Sequence, residues 1–343
     1  MRFYNFKIVC KLFFADFYRI FVIFSTRFPK NFLEFSWKNC KKITKNHLYL
    51  YLYYSVRNCY FMNTSFTAKL QQIQQKNNSL LCVGLDPNFE KLPEIFQKDL
   101  ENGVVDFCCK IVDATADLVC AYKPQIAYFS AIGAETALEK IIAYIHQKYN
   151  GKIPVILDAK RGDIGSTAEQ YAKEAFERYQ ADAVTVNPYM GTDSLESWFK
   201  YTNKGVFLLC RTSNVGGSDL QFLDIKNDNG EQQKIYQKVA ELAASKWNPN
   251  EQTGLVVGAT FPQELKIVRK IVGDEMPLLV PGIGAQGGDI LQTVQSGQNS
   301  KNLGLILNSS RAILFADNTT NNFDKVARSV AEKTLQEIRL AQK

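Results

Sequence analysis

From Met62 onward the chain alternates short apolar runs with longer amphipathic ones. Apolar runs of about four to eight residues between turn residues read as buried strands, and apolar positions recurring every three or four read as one-faced helices. Eight strands are expected: Leu80 to Leu85, Val119 to Ile126, Ile153 to Leu157, Ala183 to Asn187, Val206 to Cys210, Gly254 to Gly258, Leu278 to Pro281 and Leu303 to Asn308. Helices are expected between them over Val104 to Leu118, Thr136 to Tyr149, Ala168 to Tyr179, Glu231 to Trp247, Pro262 to Val272 and Ile290 to Val294. A polar helical stretch, Asn63 to Lys76, precedes the first strand, and a final helix lies near Phe323 to Leu340. Ser166-Thr167-Ala168-Glu169 reads as a capping box at a helix start. Eight βα repeats in about 280 residues predict an α/β fold, a single-domain TIM (β/α)8 barrel. An open doubly wound sheet would usually have fewer strands and a Gly-x-Gly-x-x-Gly turn early in the chain, and no such early turn appears.

Residues 1–61 break this pattern. They hold 19 of the 42 Phe, Tyr and Trp residues, and 11 Lys/Arg against 2 Asp/Glu. Lys11, Asp16 and Arg19 interrupt the apolar stretch from Val9 to Phe24, so no clean run of about 20 residues spans a bilayer. The segment also lacks the small-residue cleavage pattern of a secretory signal and is too aromatic for a transit peptide. It is read as an N-terminal extension outside the barrel, and residues 62–343 as the catalytic domain, with Met62 as the expected natural start.

Charge must be read against that division. The formal net charge is +7, but beyond residue 61 there are 30 basic residues against 32 acidic. The globular part is nearly neutral and gives no reason to expect nucleic acid or a membrane as a partner. The composition, 46% hydrophobic and 22% charged, is ordinary for a globular protein. Eight cysteines include no Cys-x-x-Cys pair, and several sit in apolar runs, which predicts small buried hydrophobes, a reducing cytoplasm and no metal knuckle. With His47 and His146 as the only histidines, Ser-His-Asp hydrolysis and His-ligated zinc are poorly supported. His146 reads as a surface or core residue.

A barrel carries its site at the carboxyl ends of its strands. Strand three leads into Asp158-Ala159-Lys160-Arg161-Gly162-Asp163-Ile164-Gly165-Ser166-Thr167, four charges and two glycines where a buried strand should end. Crowding of this kind is costly unless the ions pair, so it points to a preorganised field. Asp158 and Lys160 lie two apart, on one side of an extended chain, and Asp163 could approach the same ammonium. Flanking carboxylates favour the charged amine, making Lys160 a candidate acid. Lys123 sits inside the apolar second strand, with Asp86, Asp158 and Asp163 as natural partners. Strand seven leads into Pro281-Gly282-Ile283-Gly284-Ala285-Gln286-Gly287-Gly288, and strand eight into Asn308-Ser309-Ser310-Arg311. Glycine-rich backbone N–H groups together with the Arg311 fork would cradle a phosphate. The long connection after strand five, through Ser213-Asn214-Val215-Gly216-Gly217-Ser218, reads as a mobile lid.

These motifs, together with Val83-Gly84-Leu85-Asp86-Pro87, Lys123-Pro124, Asn187-Pro188-Tyr189-Met190-Gly191 and Arg211-Thr212-Ser213-Asn214, closely resemble orotidine 5'-phosphate decarboxylase of the longer bacterial type (type 2 subfamily). The likeness runs from about Thr67 onward and does not include residues 1–61. It implies conversion of orotidine monophosphate to uridine monophosphate and carbon dioxide in pyrimidine synthesis, without cofactor or metal. By matching positions it implies an alternating network of Lys123, Asp158, Lys160 and Asp163, with Lys160 delivering the proton to C6. It implies ribose binding by Asp86, pyrimidine binding by Ser213, and a phosphate site including Gly284, Gln286, Ser310 and Arg311. It also implies a homodimer that shares its sites, with Asp163, Ile164 and Thr167 serving partly the neighbouring subunit. Val215 replaces the family's usual proline, which bears on the stiffness of the lid.

Two other readings remain at this stage. A Schiff-base aldolase on the same barrel would use Lys123 or Lys160 as nucleophile, and would need a neutral amine. A noncatalytic nucleotide-binding barrel would use the phosphate loops and leave the Lys/Asp alternation unexplained.

Overall fold

All eight expected barrel strands form: β1 (Leu81–Leu85), β2 (Ala121–Pro124), β3 (Ile156–Arg161), β4 (Ala183–Val186), β5 (Gly205–Arg211), β6 (Thr253–Val257), β7 (Leu278–Pro281) and β8 (Leu305–Ser309). The computed structural model describes residues 65–227, 229–283, 288–317 and 322–343, so the expectations for residues 1–61, Gly284 and Gln286 lie outside the described residues. The strands pair in parallel in the order β2-β1-β8-β7-β6-β5-β4-β3. Parallel bridges Tyr122↔Val155 and Gln125↔Asp158 then join β2 to β3 and bring the sheet into a cylinder. Strands buried on both faces need near-continuous apolar sequence, and β1, β4, β6 and β8 are buried along their whole length.

The amino end of the cylinder is closed by a helix from outside the repeat. α1 (Phe66–Asn77) buries Phe66, Leu70 and Ile73, and its cap Ser65 accepts the Ala68 N–H. Phe66 meets Phe207 of β5 edge-on, with ring centroids 5.5 Å apart. Two glycines make the room: a Cβ on Gly205 would lie 2.5 Å from the Phe66 ring, and one on Gly254 2.4 Å from the Phe207 ring. Burying a ring of this size stabilises the docked helix by about 1.5–3 kcal/mol.

An ionic cluster pins the same helix. Asp182, just before β4, accepts Lys69 Nζ at 2.5 Å, His146 Nε2 at 3.0 Å and the Val155 N–H at 2.8 Å. Burial opposes charge on Asp182, but the Lys69 ammonium and the His146 hydrogen bond outweigh it and hold the carboxyl well below the usual carboxylate range. His146 thus has a structural place on this floor.

Two expectations about helix starts need correction. The helix after β3 spans Gly165–Lys173 with Ile164 as its cap, and no side chain caps it. Its entry turns on Gly165 at φ 53°, and Glu169 reaches Lys200 at 2.6 Å instead of folding back, so the capping box at Ser166 does not form. The expected helix from Glu231 begins at Ile235 instead, because Gln232–Lys234 pairs antiparallel with Asp224–Lys226. Asn227 tightens that hairpin by accepting the N–H groups of Asn229 and Glu231.

Cys82, Cys108, Cys120 and Cys210 are buried and unbridged. Burial pushes the Cys82 thiol up to about 12, so at neutral pH it stays a small, protonated hydrophobe. Among the described residues no helix is long and apolar enough to cross a membrane.

Candidate active site

The third strand runs on to Arg161, so Asp158 and Lys160 lie within it and not beyond its end. Its register with β4 then jumps, with Leu157 opposite Val184 but Arg161 opposite Val186. Asp158, Ala159 and Lys160 therefore bulge over the single residue Thr185. Lys160 takes φ 47°, a left-handed conformation that costs a lysine about 1–2 kcal/mol and persists only where its surroundings hold it. The Thr185 hydroxyl accepts the Ala159 N–H at 3.0 Å and the Lys160 N–H at 2.9 Å.

The bulge aims two ammonium groups at one carboxylate. Lys123 Nζ lies 2.7 Å from Asp158 Oδ2, and Lys160 Nζ lies 2.6 Å from Asp158 Oδ1. Burial disfavours charge on Asp158, yet Lys123 and Lys160 together hold its carboxyl far below the ordinary carboxylate value. Burial likewise opposes the Lys123 ammonium, and the carboxylates of Asp158 and Asp86 reverse it, raising its pKa above that of free lysine. The Lys123 side chain is 5% exposed and that of Lys160 45%, so the first is sealed into the wall and the second faces open space.

That space is a cavity of about 500 Å³ at the carboxyl ends of the strands. It brings together Asp86, Lys123, Asp158, Lys160, Ser213, Ser310 and Arg311, all expected in the site. Asp86 accepts the Ser310 hydroxyl across the mouth of β1 and β8. Close approach there needs Gly84, because a Cβ on it would sit 2.7 Å from Ser310 Cβ. Arg311 begins a short helix, Arg311–Leu314, and stands on the cavity rim.

Asp163, Ile164 and Thr167 do not line this cavity within the chain. The Asp163 carboxylate accepts the Ile164 N–H at 2.9 Å instead of approaching Lys160, and Ile164 is 52% exposed. The expected lid folds as a turn over Val215–Gly217 and a short helix, Ser218–Gln221, with Val215 almost fully exposed.

Sequence reasoning missed several members. Thr212, Asn214 and Gln221 line the cavity, and Gln221 Oε1 accepts the Thr212 N–H at 2.9 Å. Asn308 also lines it, and the buried oxygens Asn308 Oδ1 and Asp86 Oδ1 have no protein partner. A buried Asn ending an otherwise apolar strand was the available signal for Asn308. Thr185 gave a weaker one, since threonine is at home in any strand.

Comparison with known proteins agrees with this geometry. Residues 79–326 match the model of the orotidine 5'-phosphate decarboxylase / HUMPS family. An orotidine 5'-phosphate decarboxylase of Dechloromonas aromatica is 60% identical over 276 residues, covering 80% of this chain and 99% of the relative. One from Ralstonia nicotianae is 60% identical over 273 residues, covering 80% and 97%. Among solved structures, the OMP decarboxylase of Leishmania donovani superposes with a TM-score of 0.69 at 37% identity, covering 81% of this chain and 99% of that one. With such a match over most of its length, and with Lys123, Lys160, Asp86 and Asp158 gathered at a barrel mouth, the chain belongs to the orotidine 5'-phosphate decarboxylase / HUMPS family.

Proposed function

We propose that this protein is an orotidine 5'-phosphate decarboxylase of the longer bacterial type, converting orotidine monophosphate to uridine monophosphate and carbon dioxide in pyrimidine synthesis. The observation that carries the proposal is the Lys123–Asp158–Lys160 array on the wall of a 500 Å³ cavity. Loss of carbon dioxide leaves an electron pair on C6 of the pyrimidine with no adjacent π system to take it up. A fixed positive charge beside that carbon must steady it.

Lys160 is given that role. The bond from C6 to the carboxylate breaks, its electrons remain on C6, and the Lys160 ammonium supplies the proton that completes uridine monophosphate. Water restores the lysine's proton. Asp158 fixes Lys160 and presents negative charge beside the departing carboxylate, while Lys123 keeps Asp158 ionised. Asp158 keeps Lys123 charged and holds Lys160 Nζ at 2.6 Å, an arrangement that supports proton donation over Schiff-base chemistry.

Asp86 and Asn308 offer buried acceptor oxygens suited to sugar hydroxyls, with Asp86 assigned to the ribose. Ser213 is assigned to the pyrimidine edge. Arg311 and Ser310, with Gln286 and Gly284 from the β7 loop, are assigned to the phosphate. Binding energy from that distant group can be used to organise the reacting end. Asp163, Ile164 and Thr167, turned away from the cavity of their own chain, are assigned to the site of a second subunit in a homodimer. Residues 62–343 form the catalytic unit of a cytoplasmic enzyme that uses no cofactor, with residues 1–61 dispensable to it.

The direct test is loss of the orotidine absorbance on incubation with orotidine monophosphate in the presence of a chelator. Turnover supports the reading, and an inert folded protein overturns it. Protein beginning at Met62 should show the same turnover as the full chain.

A further inference from the structure

We propose that Thr185 is a positioning residue for the reaction, acting as the peg that holds Lys160 and Asp158 in their reactive geometry. This rests on the decarboxylase reading above and adds to it a residue that need not touch substrate. The bulge in β3 sets three residues against one, so the ladder on β4 cannot supply every backbone acceptor that Ala159 and Lys160 require. The Thr185 hydroxyl fills the gap. It accepts the N–H of Ala159 at 3.0 Å and of Lys160 at 2.9 Å, and donates its proton to Asp158 Oδ1 at 2.9 Å. A hydroxyl has two acceptor positions and one donor, and all three are used.

The three bonds are directed at different parts of one device. Two hold the backbone at the left-handed Lys160, and the third fixes the carboxylate oxygen that also takes Lys160 Nζ at 2.6 Å. Thr185 is 1% exposed and does not line the cavity, which separates it from the residues assigned to substrate. Without the hydroxyl, the ammonium loses its fixed place. Misplacing a reacting group by about 1 Å can cost on the order of 100-fold in rate.

The test compares Thr185→Val, which keeps shape and removes the hydroxyl, with Thr185→Ser, which keeps the hydroxyl, both in the full-chain enzyme. The expected result for T185V is a fall in kcat of about 30- to 100-fold with KM within about threefold of the parent. T185S should restore kcat to within about threefold of the parent. Should T185V fail to fold, Thr185→Ala removes the same hydroxyl without adding bulk, and carries the same expectation. Parental kcat in the folded hydroxyl-free variant overturns the inference, as does an equal loss in T185S, or a loss confined to KM. If the parent itself does not decarboxylate orotidine monophosphate, the functional reading fails and not merely the role of Thr185.

Discussion

Asp158 in β3 and Asp182 just before β4 each gather two basic side chains, one cluster at either end of the barrel. At the floor, Asp182 collects Lys69, His146 and a backbone N–H, and its lysine is only 15% exposed. At the mouth, Asp158 collects Lys123, Lys160 and the Thr185 hydroxyl, and one of its lysines is left 45% exposed beside a cavity. Both carboxyls are driven far below their ordinary value by the same forces. The floor cluster spends its charge on joining α1 to the barrel. The mouth cluster leaves an ammonium in a strained backbone, facing open space. Similar electrostatics therefore serve cohesion at one end and reactivity at the other, and exposure and strain tell the two apart.

The sharpest way to break this contrast is Lys160→Ala. Turnover should fall by at least about 1000-fold while nucleotide binding is largely kept and the melting temperature barely moves. Near-parental turnover would remove Lys160 from the chemistry. Asp182→Asn should do the reverse, lowering stability by about 2–4 kcal/mol because it strands Lys69, with kcat per folded molecule unchanged in a denaturation and activity series.

Acid sharpens the same pair. A carboxyl whose folded pKa is depressed contributes stability that is complete above its unfolded value of about 3.9, and loses it as pH falls toward the folded value. Below about pH 4 the parent should therefore lose its advantage over the D182N variant, and the two unfolding curves should converge. Parallel curves from pH 7 to pH 3 would deny Asp182 its ionic role. Arg311→Ala, at the rim, should raise KM about tenfold or somewhat more with little change in kcat, as expected for one charge-assisted contact to phosphate. The smallest effect is expected for His146→Gln, which leaves Lys69 on Asp182 and should cost no more than about 1 kcal/mol in the same denaturation series.

The barrel was legible because strands buried on both faces advertise themselves as apolar runs, and the charged ends stood out against them. The unusual lysine within β2 likewise announced Lys123. The bulge at Lys160 was not legible, because it arises from how β3 registers on β4 and no local sequence rule sets that register. Thr185 was hidden for the same reason: its value lies in the two N–H groups the bulge releases. The floor cluster joins residues 113 and 36 positions apart, so nothing local connects Lys69 or His146 with Asp182. The hairpin before Ile235 failed in another way, since a short polar strand pair carries little periodicity and depended on the turn made by Asn227.

The aromatic seal between Phe66 and Phe207 bears on the order in which the molecule can be made. α1 is translated before any barrel strand, yet its ring rests against β5 and its lysine against the residue preceding β4. At about 5–20 residues per second, the helix waits roughly 6–23 s after Lys69 is added before Asp182 has even been synthesised. Throughout that interval Phe66, Leu70 and Ile73 have no finished surface to bury against. Cells that make this protein quickly must either shield that helix on the ribosome or tolerate its sticking to other nascent chains.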